Sequence, residues 1–396
     1  MKNRLRIGLL LIGDRSWIGG IEYFKNIIFA LHSLPSDIRS EIEVNLICSK
    51  SKADPSFLNI IEKKIDRLID QDMGFVPVTI KNRICQILLY RLFKENWADF
   101  ELFLKRKKFD FVYPHFSSGS FQKHYRSAAW IPDFQHKCLP VFFSKSEIKA
   151  RDIYYQQITE FADTVIVSSK TAEADLHHFF PLGKNKSEIL SFCTCPDPEW
   201  YSADPVPVQK KYSLPDRFFI ISNQFWQHKN HLTVFHALNK LHKKSVFPTV
   251  VCTGHLHDHR WPDYSDTILQ TIHKLNLSRQ VFLLGLIPRA DQIQLMRRSM
   301  AVIQPSRFEG WSTVVEDARV LGKTIFLSDI AVHKEQKHPH SIFFDPDVSE
   351  TLSSILKDQW DNLQPGPDVQ KESVGRKRNE KELQDFGYRF VEIAKG

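Results

Sequence analysis

The stretch PSRFEGWSTVVEDARVLGKTIFLSD runs from Pro305 to Asp329. It reads as a strand end, a shaped loop and the start of a helix. A short apolar run, Ala301–Ile303, delivers the chain to Pro305, and Ser306–Thr313 forms the loop. A helix starts near Thr313 or Val314, and a strand follows at Thr324–Leu327. Neither a core helix nor a plain surface helix needs Pro305, Phe308, Gly310 and Trp311 in front of it. The first N–H groups of such a helix have no internal partner and suit a phosphate or a sugar hydroxyl. Glu309 sits in the loop, with Glu316 and Asp317 in the first helical turn. A carboxylate near a helix start is also an ordinary dipole partner. That plain reading is strong for Glu316 and Asp317 and weaker for Glu309.

Outward from this stretch, strands alternate with helices on both sides. Upstream in the same half, strands read at Phe218–Ser222, Thr249–Thr253 and Val281–Leu284, with helices at His231–Lys240 and Asp291–Arg298. Ser341–Phe344 adds a later strand. The first half begins with Leu5–Ile12, a nearly continuous apolar run as in a buried parallel strand. A helix at Ile21–Leu31 follows, then strands at Ile42–Ile47, Phe109–Tyr113, Ala129–Ile131 and Asp163–Ser168. Helical patterns at Arg83–Phe93 and Ser146–Phe161 lie between them. Such alternation means an α/β doubly wound sheet, here twice over. Pro196, Pro198, Pro205, Pro207 and Pro215 mark residues 196–215 as a linker or irregular connection. Residues 364–380 read as a polar connection, and Leu383–Ile393 as a docked helix. The expected division is 1–200 for the first domain and 201–380 for the second. A C-terminal helix over about 381–396 returns to the first domain.

Length and composition agree. The chain has 396 residues, too many for one ordinary core. It is 42% hydrophobic and 25% charged, with 30 Phe, a globular composition. The formal net charge of +8 fits an anionic substrate or an anionic membrane surface. The basic residues are scattered and carry no nucleic-acid motif, so nucleic acid is not expected as a partner. A solvated basic surface is the plainer account of the charge. Ile7–Gly13 is too short for a membrane span and lacks a small-residue cleavage site, so a cytoplasmic protein is expected. It would be able to dock peripherally at the inner face of the plasma membrane. The six cysteines form no CxxC pair, which fits a reduced compartment and no zinc site.

Ligands of open α/β sheets bind beyond the strand C-termini. Three further stretches sit at such positions. Trp17-Ile18-Gly19-Gly20 follows the first strand, and its glycines let a backbone approach an anion, although a plain tight turn reads the same. Ser222–His231 follows the first strand of the second half. Lys229 there can meet a diphosphate as a point charge, against the plain reading of a solvated lysine. Ile131–His136 follows a first-half strand and offers Asp133 and His136, with His115 after an earlier strand as a third candidate. A lone histidine is more often a structural hydrogen-bonder. His255, His257 and His259 alternate like a metal site but read better as a surface or acceptor-side loop. Asp345-Pro346-Asp347 reads as a turn.

Together these residues resemble the GT-B glycosyltransferases, and within them the retaining glycosyltransferase family 4 (group 1) enzymes. That family carries a loop of the form E-G-F-G-L-P-V-L-E-A, and here Glu309 to Ala318 stand in its place. The similarity is specific over about residues 218–335 and thinner in the first half. The resemblance implies two Rossmann-like domains facing each other across a cleft. It implies a hexosyltransferase-type enzyme that needs no metal or other cofactor. The enzyme would move a sugar from a nucleoside-diphosphate sugar co-substrate to a glycan or lipid-linked acceptor. Retention, by departure and attack on one face, also follows from the resemblance alone. The setting would be bacterial-type surface polysaccharide or lipopolysaccharide synthesis.

By the same resemblance, Glu309 faces the donor sugar and Lys229 neutralises the leaving diphosphate. Backbone N–H groups of Trp311, Ser312, Thr313 and Val314 hold sugar and diphosphate. Gly19 and Gly20 close over them, and the loop with Leu286 and Ile287 meets the base. Asp133 or His136 lies near the donor sugar. Counted without a gap, the family's second glutamate falls on Asp317, and Glu316 takes the ribose role only if the loop is one residue shorter. The family's arginine five residues before its lysine is Gln224 here, a charge that Arg289 or Arg307 can replace. Two other classes stay open: a nucleotide-sugar epimerase of the same fold, and a non-catalytic nucleotide-sugar-binding protein.

Overall fold

A computed structural model of the protein describes residues 4–12, 18–71, 100–101, 103–116, 124–258 and 260–396. The expected helix Arg83–Phe93, and Gly13, Trp17 and His259, lie outside the described residues. The first half holds seven strands. They are β1 (Leu5–Leu10), β2 (Ile42–Cys48), β3 (Arg67–Asp70), β4 (Phe111–Tyr113), β5 (Arg126–Trp130), β6 (Thr164–Val167) and β7 (Ser187–Ile189). Their order is β3-β2-β1-β4-β5-β6-β7. The second half holds β8 (Phe219–Ser222), β9 (Val250–Thr253), β10 (Val281–Gly285), β11 (Val302–Gln304), β12 (Ile325–Ser328) and β13 (Ser341–Phe344), in the order β10-β9-β8-β11-β12-β13. The pairings in both sheets are parallel. The strand order reverses beside β1 and beside β8, which opens a crevice at the strand ends there.

Parallel strands are covered on both faces, which is why the central ones are apolar throughout. Ile7, Leu9, Ile42, Val44 and Leu46 join one core, and Phe219, Ile221, Val250 and Cys252 another. Residues 196–215 are more ordered than their prolines imply. They carry short helices at Glu199–Ser202 and Val206–Lys211, with Pro198 and Pro205 at the N-caps. Proline is tolerated there because the first N–H groups of a helix are unpaired anyway. Trp200 and Leu214 anchor this segment in a core with β8, β11 and β12 residues.

Residues 364–380 are also not a connection throughout. One helix runs from Val369 to Lys395, capped by Asp368, whose Oδ1 accepts the Lys371 N–H at 3.1 Å. Its polar start misled the sequence reading because much of that face is exposed. A Cβ on Gly375 would lie 2.7 Å from the Arg319 carbonyl oxygen, and one on Gly387 would lie 2.7 Å from that of Ala30. The helix therefore touches both halves at glycines. Phe386, Phe390 and Ile393 complete the core of the first half.

Candidate functional site

The cleft between the two sheets holds about 350 Å³ and is lined from both sides. Gly19, Glu22, Tyr23, Trp130, Pro132 and Asp133 come from the first half. Gln224, Lys229, Leu286, Ile287, Arg289 and Glu309 to Val314 come from the second, with Asp317. Of the residues expected at a site, Gly20, His136 and Glu316 are buried beside this cleft and do not line it.

Lys229 lies on the single helical turn Gln227–Lys229 that follows β8. Asn230 then takes φ +59°, a left-handed conformation that asparagine tolerates, and starts helix His231–His242. Its side-chain amide donates to the carbonyls of Pro305 (3.1 Å) and Pro346 (2.8 Å). That fixes the turn against the loop after β11. The Lys229 ammonium reaches Glu309 Oε1 at 2.6 Å, with only 15% and 9% of the two side chains exposed. Burial, and then Lys229, push the neighbouring His228 well below the ordinary imidazole range and His231 down to about 3. Both imidazoles are neutral at pH near 7, so the fixed positive charge on this turn is Lys229.

Gln304, the last residue of β11, organises the loop. Its Nε2 donates to Glu309 Oε1 (2.9 Å) and Ser312 Oγ (3.0 Å), while its Oε1 accepts from Asn223 (2.7 Å). Helix Thr313–Val320 follows, and the Ser312 side chain caps none of its first N–H groups. Thr313 and Val314 line the cleft, so these donors face it. Gln336 braces the same corner, accepting from the Ser312 N–H (3.3 Å) and donating to Glu316 Oε1 (2.8 Å).

The two adjacent carboxylates point different ways. Asp317 lines the cleft, and its Oδ1 accepts from Arg289 Nη2 (2.7 Å) and Thr194 Oγ1 (2.8 Å). Glu316 turns inward to Arg319 and Gln336. Burial there outweighs both partners and pushes its carboxyl up to about 7. Arg289 also packs over Trp200, with Cζ 5.2 Å from the ring centroid. Two ion pairs, Lys229–Glu309 and Arg289–Asp317, thus line the cleft that the helix start faces.

The first half closes on this loop. A Cβ on Gly310 would lie 2.1 Å from the Pro132 carbonyl oxygen, so only glycine fits. Trp311 Nε1 donates across the cleft to the Phe192 carbonyl at 2.7 Å. Asp133 Oδ1 accepts the Gln135 N–H at 2.9 Å. His136 is fully buried, with Nε2 3.1 Å from Asp152 Oδ1 and Nδ1 unpartnered. His115 is buried among Glu101 (2.9 Å) and Tyr125 (3.1 Å), outside the cleft lining.

His255 lines the cleft, and no group of three metal-ligating side chains occurs among the described residues. Asp345 and Asp347 form a turn outside the lining, where Asp347 pairs with Arg307 at 2.9 Å. Of the two arginines expected to replace a charge at Gln224, Arg289 lines the cleft and Arg307 does not. Gln304, Gln336 and Thr194 escaped the sequence reading. Gln304 carried a signal, a lone amide ending a buried apolar strand.

Residues 207–365 match the family model described as glycosyl transferases group 1. No curated protein matches the chain. Among solved structures, HepE of Anabaena in complex with UDP and glucose is similar at 17% identity and a TM-score of 0.65, covering 98% of this chain and 99% of that one. Sucrose-phosphate synthase of Thermosynechococcus elongatus is similar at 14% identity and a TM-score of 0.69, covering 99% and 98%. WaaG, a glycosyltransferase involved in lipopolysaccharide biosynthesis, is similar at 13% identity and a TM-score of 0.58, covering 96% and 95%. The second half thus carries the group 1 glycosyltransferase sequence pattern, and the chain as a whole has the two-sheet GT-B fold of these solved glycosyltransferases.

Proposed function

We propose that the protein transfers a hexose from a nucleoside-diphosphate sugar to a glycan or lipid-linked acceptor, with retention and without a metal ion. The observation that carries this reading is the Lys229–Glu309 ion pair beside the open start of helix Thr313–Val320. Cleavage of the donor makes an oxocarbenium-like sugar and a diphosphate anion. Lys229 and the first N–H groups of the helix meet that anion as it forms. Each preorganised donor of this kind is worth about 3–4 kcal/mol of barrier when removed singly. Glu309, at the same point, accepts from hydroxyls of the donor sugar. Asp317 accepts from the ribose hydroxyls, and Leu286 and Ile287 meet the base. Donor binding exchanges the partners within each ion pair: the phosphates take Lys229, and hydroxyls take the carboxylates.

The UDP complex of HepE supports a nucleotide-sugar donor by similarity of fold. WaaG's part in lipopolysaccharide biosynthesis supports a surface-glycan setting in the same way. No helix among the described residues is long and apolar enough to cross a membrane. The net charge of +8 supports peripheral contact with an anionic inner face of the plasma membrane. Purified protein, a panel of nucleotide sugars and a crude lipid-linked acceptor test the reading. Transfer of sugar is expected, undiminished by EDTA. Turnover of the donor alone into an epimer points instead to an epimerase. EDTA inhibition reversed by Mg²⁺ overturns the metal-free reading.

A further inference from the structure

A buried guanidinium stands behind the cleft wall and has no part in the chemistry above. Arg260 keeps only 8% of its side chain exposed. Its Cζ lies 4.8 Å from the Phe143 ring centroid and 5.0 Å from that of Trp226, so it stacks against one ring of each half. Nη1 donates to Gln135 Oε1 at 3.1 Å. Nε lies 3.5 Å from Asp258 Oδ1 yet has no hydrogen-bond acceptor, and Asp258 Oδ2 is likewise buried without a partner. Burying a cation with so loose a counter-charge is costly, and a plain structural arginine would be better paired. Gln135 and Trp226 both line the cleft.

The backbone explains how Arg260 comes to this place. Gly254 has φ +134°, and a Cβ there would lie 2.2 Å from the Asn223 carbonyl oxygen and 2.8 Å from Gln224 N. Phe225 N–H donates to the His255 carbonyl at 3.0 Å, and Trp226 N–H to that of Gln224 at 2.9 Å. The loop after β9 therefore lies directly on the turn after β8 that carries Gln224 and Lys229. The Trp226 ring over which Arg260 lies is 5.6 Å, centroid to centroid, from the ring of His228, which sits on the Lys229 turn, so the two cations flank one small wall of the cleft.

Arg289 lines the cleft but is held by Asp317 at 2.7 Å, and we propose that Arg260 instead supplies, from the loop after β9, the second positive charge of the leaving-group pocket that Gln224 does not provide. It acts through the Trp226–His228 wall as a positioning residue, lowering the energy of the diphosphate anion that Lys229 holds. This rests on the nucleotide-sugar reading of the cleft.

The test uses the full chain and moves the charge rather than only deleting it. Arg260→Gln is expected to lower kcat about tenfold or more and to weaken binding of the free nucleoside diphosphate. Adding Gln224→Arg to that variant is expected to restore a large part of both losses, although the slot between Phe143 and Trp226 stays unfilled by charge. Arg260→Lys is expected to keep most of kcat, because the charge survives while the planar stack is lost. If Arg260→Gln does not fold, the Lys variant carries the test through the same two readouts. Wild-type kcat in Arg260→Gln overturns the proposal. So does a loss that Gln224→Arg leaves untouched, and so does an inactive but folded Arg260→Lys. Absence of transfer by the wild-type protein from every nucleotide sugar defeats the underlying reading instead.

Discussion

Asp317 and Glu316 are neighbours in sequence with opposite surroundings, and their variants separate the two. Asp317→Ala removes a charged acceptor from the cleft and is expected to weaken nucleoside-diphosphate binding by about 1.5–3 kcal/mol, read by titration calorimetry. Glu316→Gln is expected to leave that affinity near wild type, since Glu316 faces Arg319 and Gln336. Its effect belongs to stability. Burial raises its carboxyl to about 7, so the folded state holds a proton that the unfolded chain has already released. Glu316 therefore weighs against the fold increasingly as pH rises from about 4.5 to about 7, and by a constant amount above that. The melting temperature of wild type relative to Glu316→Gln is expected to fall between about pH 4.5 and pH 7 and to level off above that. A difference that stays flat contradicts the buried, proton-binding carboxyl. The sequence showed where carboxylates and Lys229 occur, because each follows a strand end. It could not show which way each carboxylate points. That depends on Thr194 and Gln336, 123 and 20 residues away, and on Arg289, 28 residues away.

At the scale of elements, the loop after β11 is also a contact between the halves. Gly310→Ala puts a Cβ 2.1 Å from the Pro132 carbonyl oxygen, so the loop or the halves must shift. The expected result is a fall in kcat/KM of about tenfold or more, with a melting temperature within a few degrees of wild type. Unchanged kinetics would mean that the approach of Pro132 to this loop is not used in turnover. The central strands were legible because burial on both faces makes them apolar runs. The edge strands β3 and β7 were not. Arg67–Asp70 and Ser187–Ile189 have no buried residue, and an edge needs no apolar run. The helix Val369–Lys395 was legible only where it enters the core at Phe386 and Phe390. Its earlier part meets its neighbour through Gly375, a contact with no apolar period to betray it.

In the whole molecule, two parallel sheets bring their strand ends to one cleft, and one long helix packs on both. The separation matters for the chemistry. In the proposed reading the residues that hold nucleotide and diphosphate come from the second half, while Asp133 and Trp130 line the cleft from the first. The central claim is that charge on the turn after β8 stabilises the departing diphosphate, and Lys229 carries that charge. The measurement that tests it most directly is steady-state sugar transfer by wild type, Lys229→Ala and Lys229→Arg. Because the charge counts most as the bond breaks, Lys229→Ala is predicted to lower kcat about a hundredfold, more than it raises KM, with Lys229→Arg recovering part. A Lys229→Ala variant that transfers sugar with wild-type kcat would contradict the account.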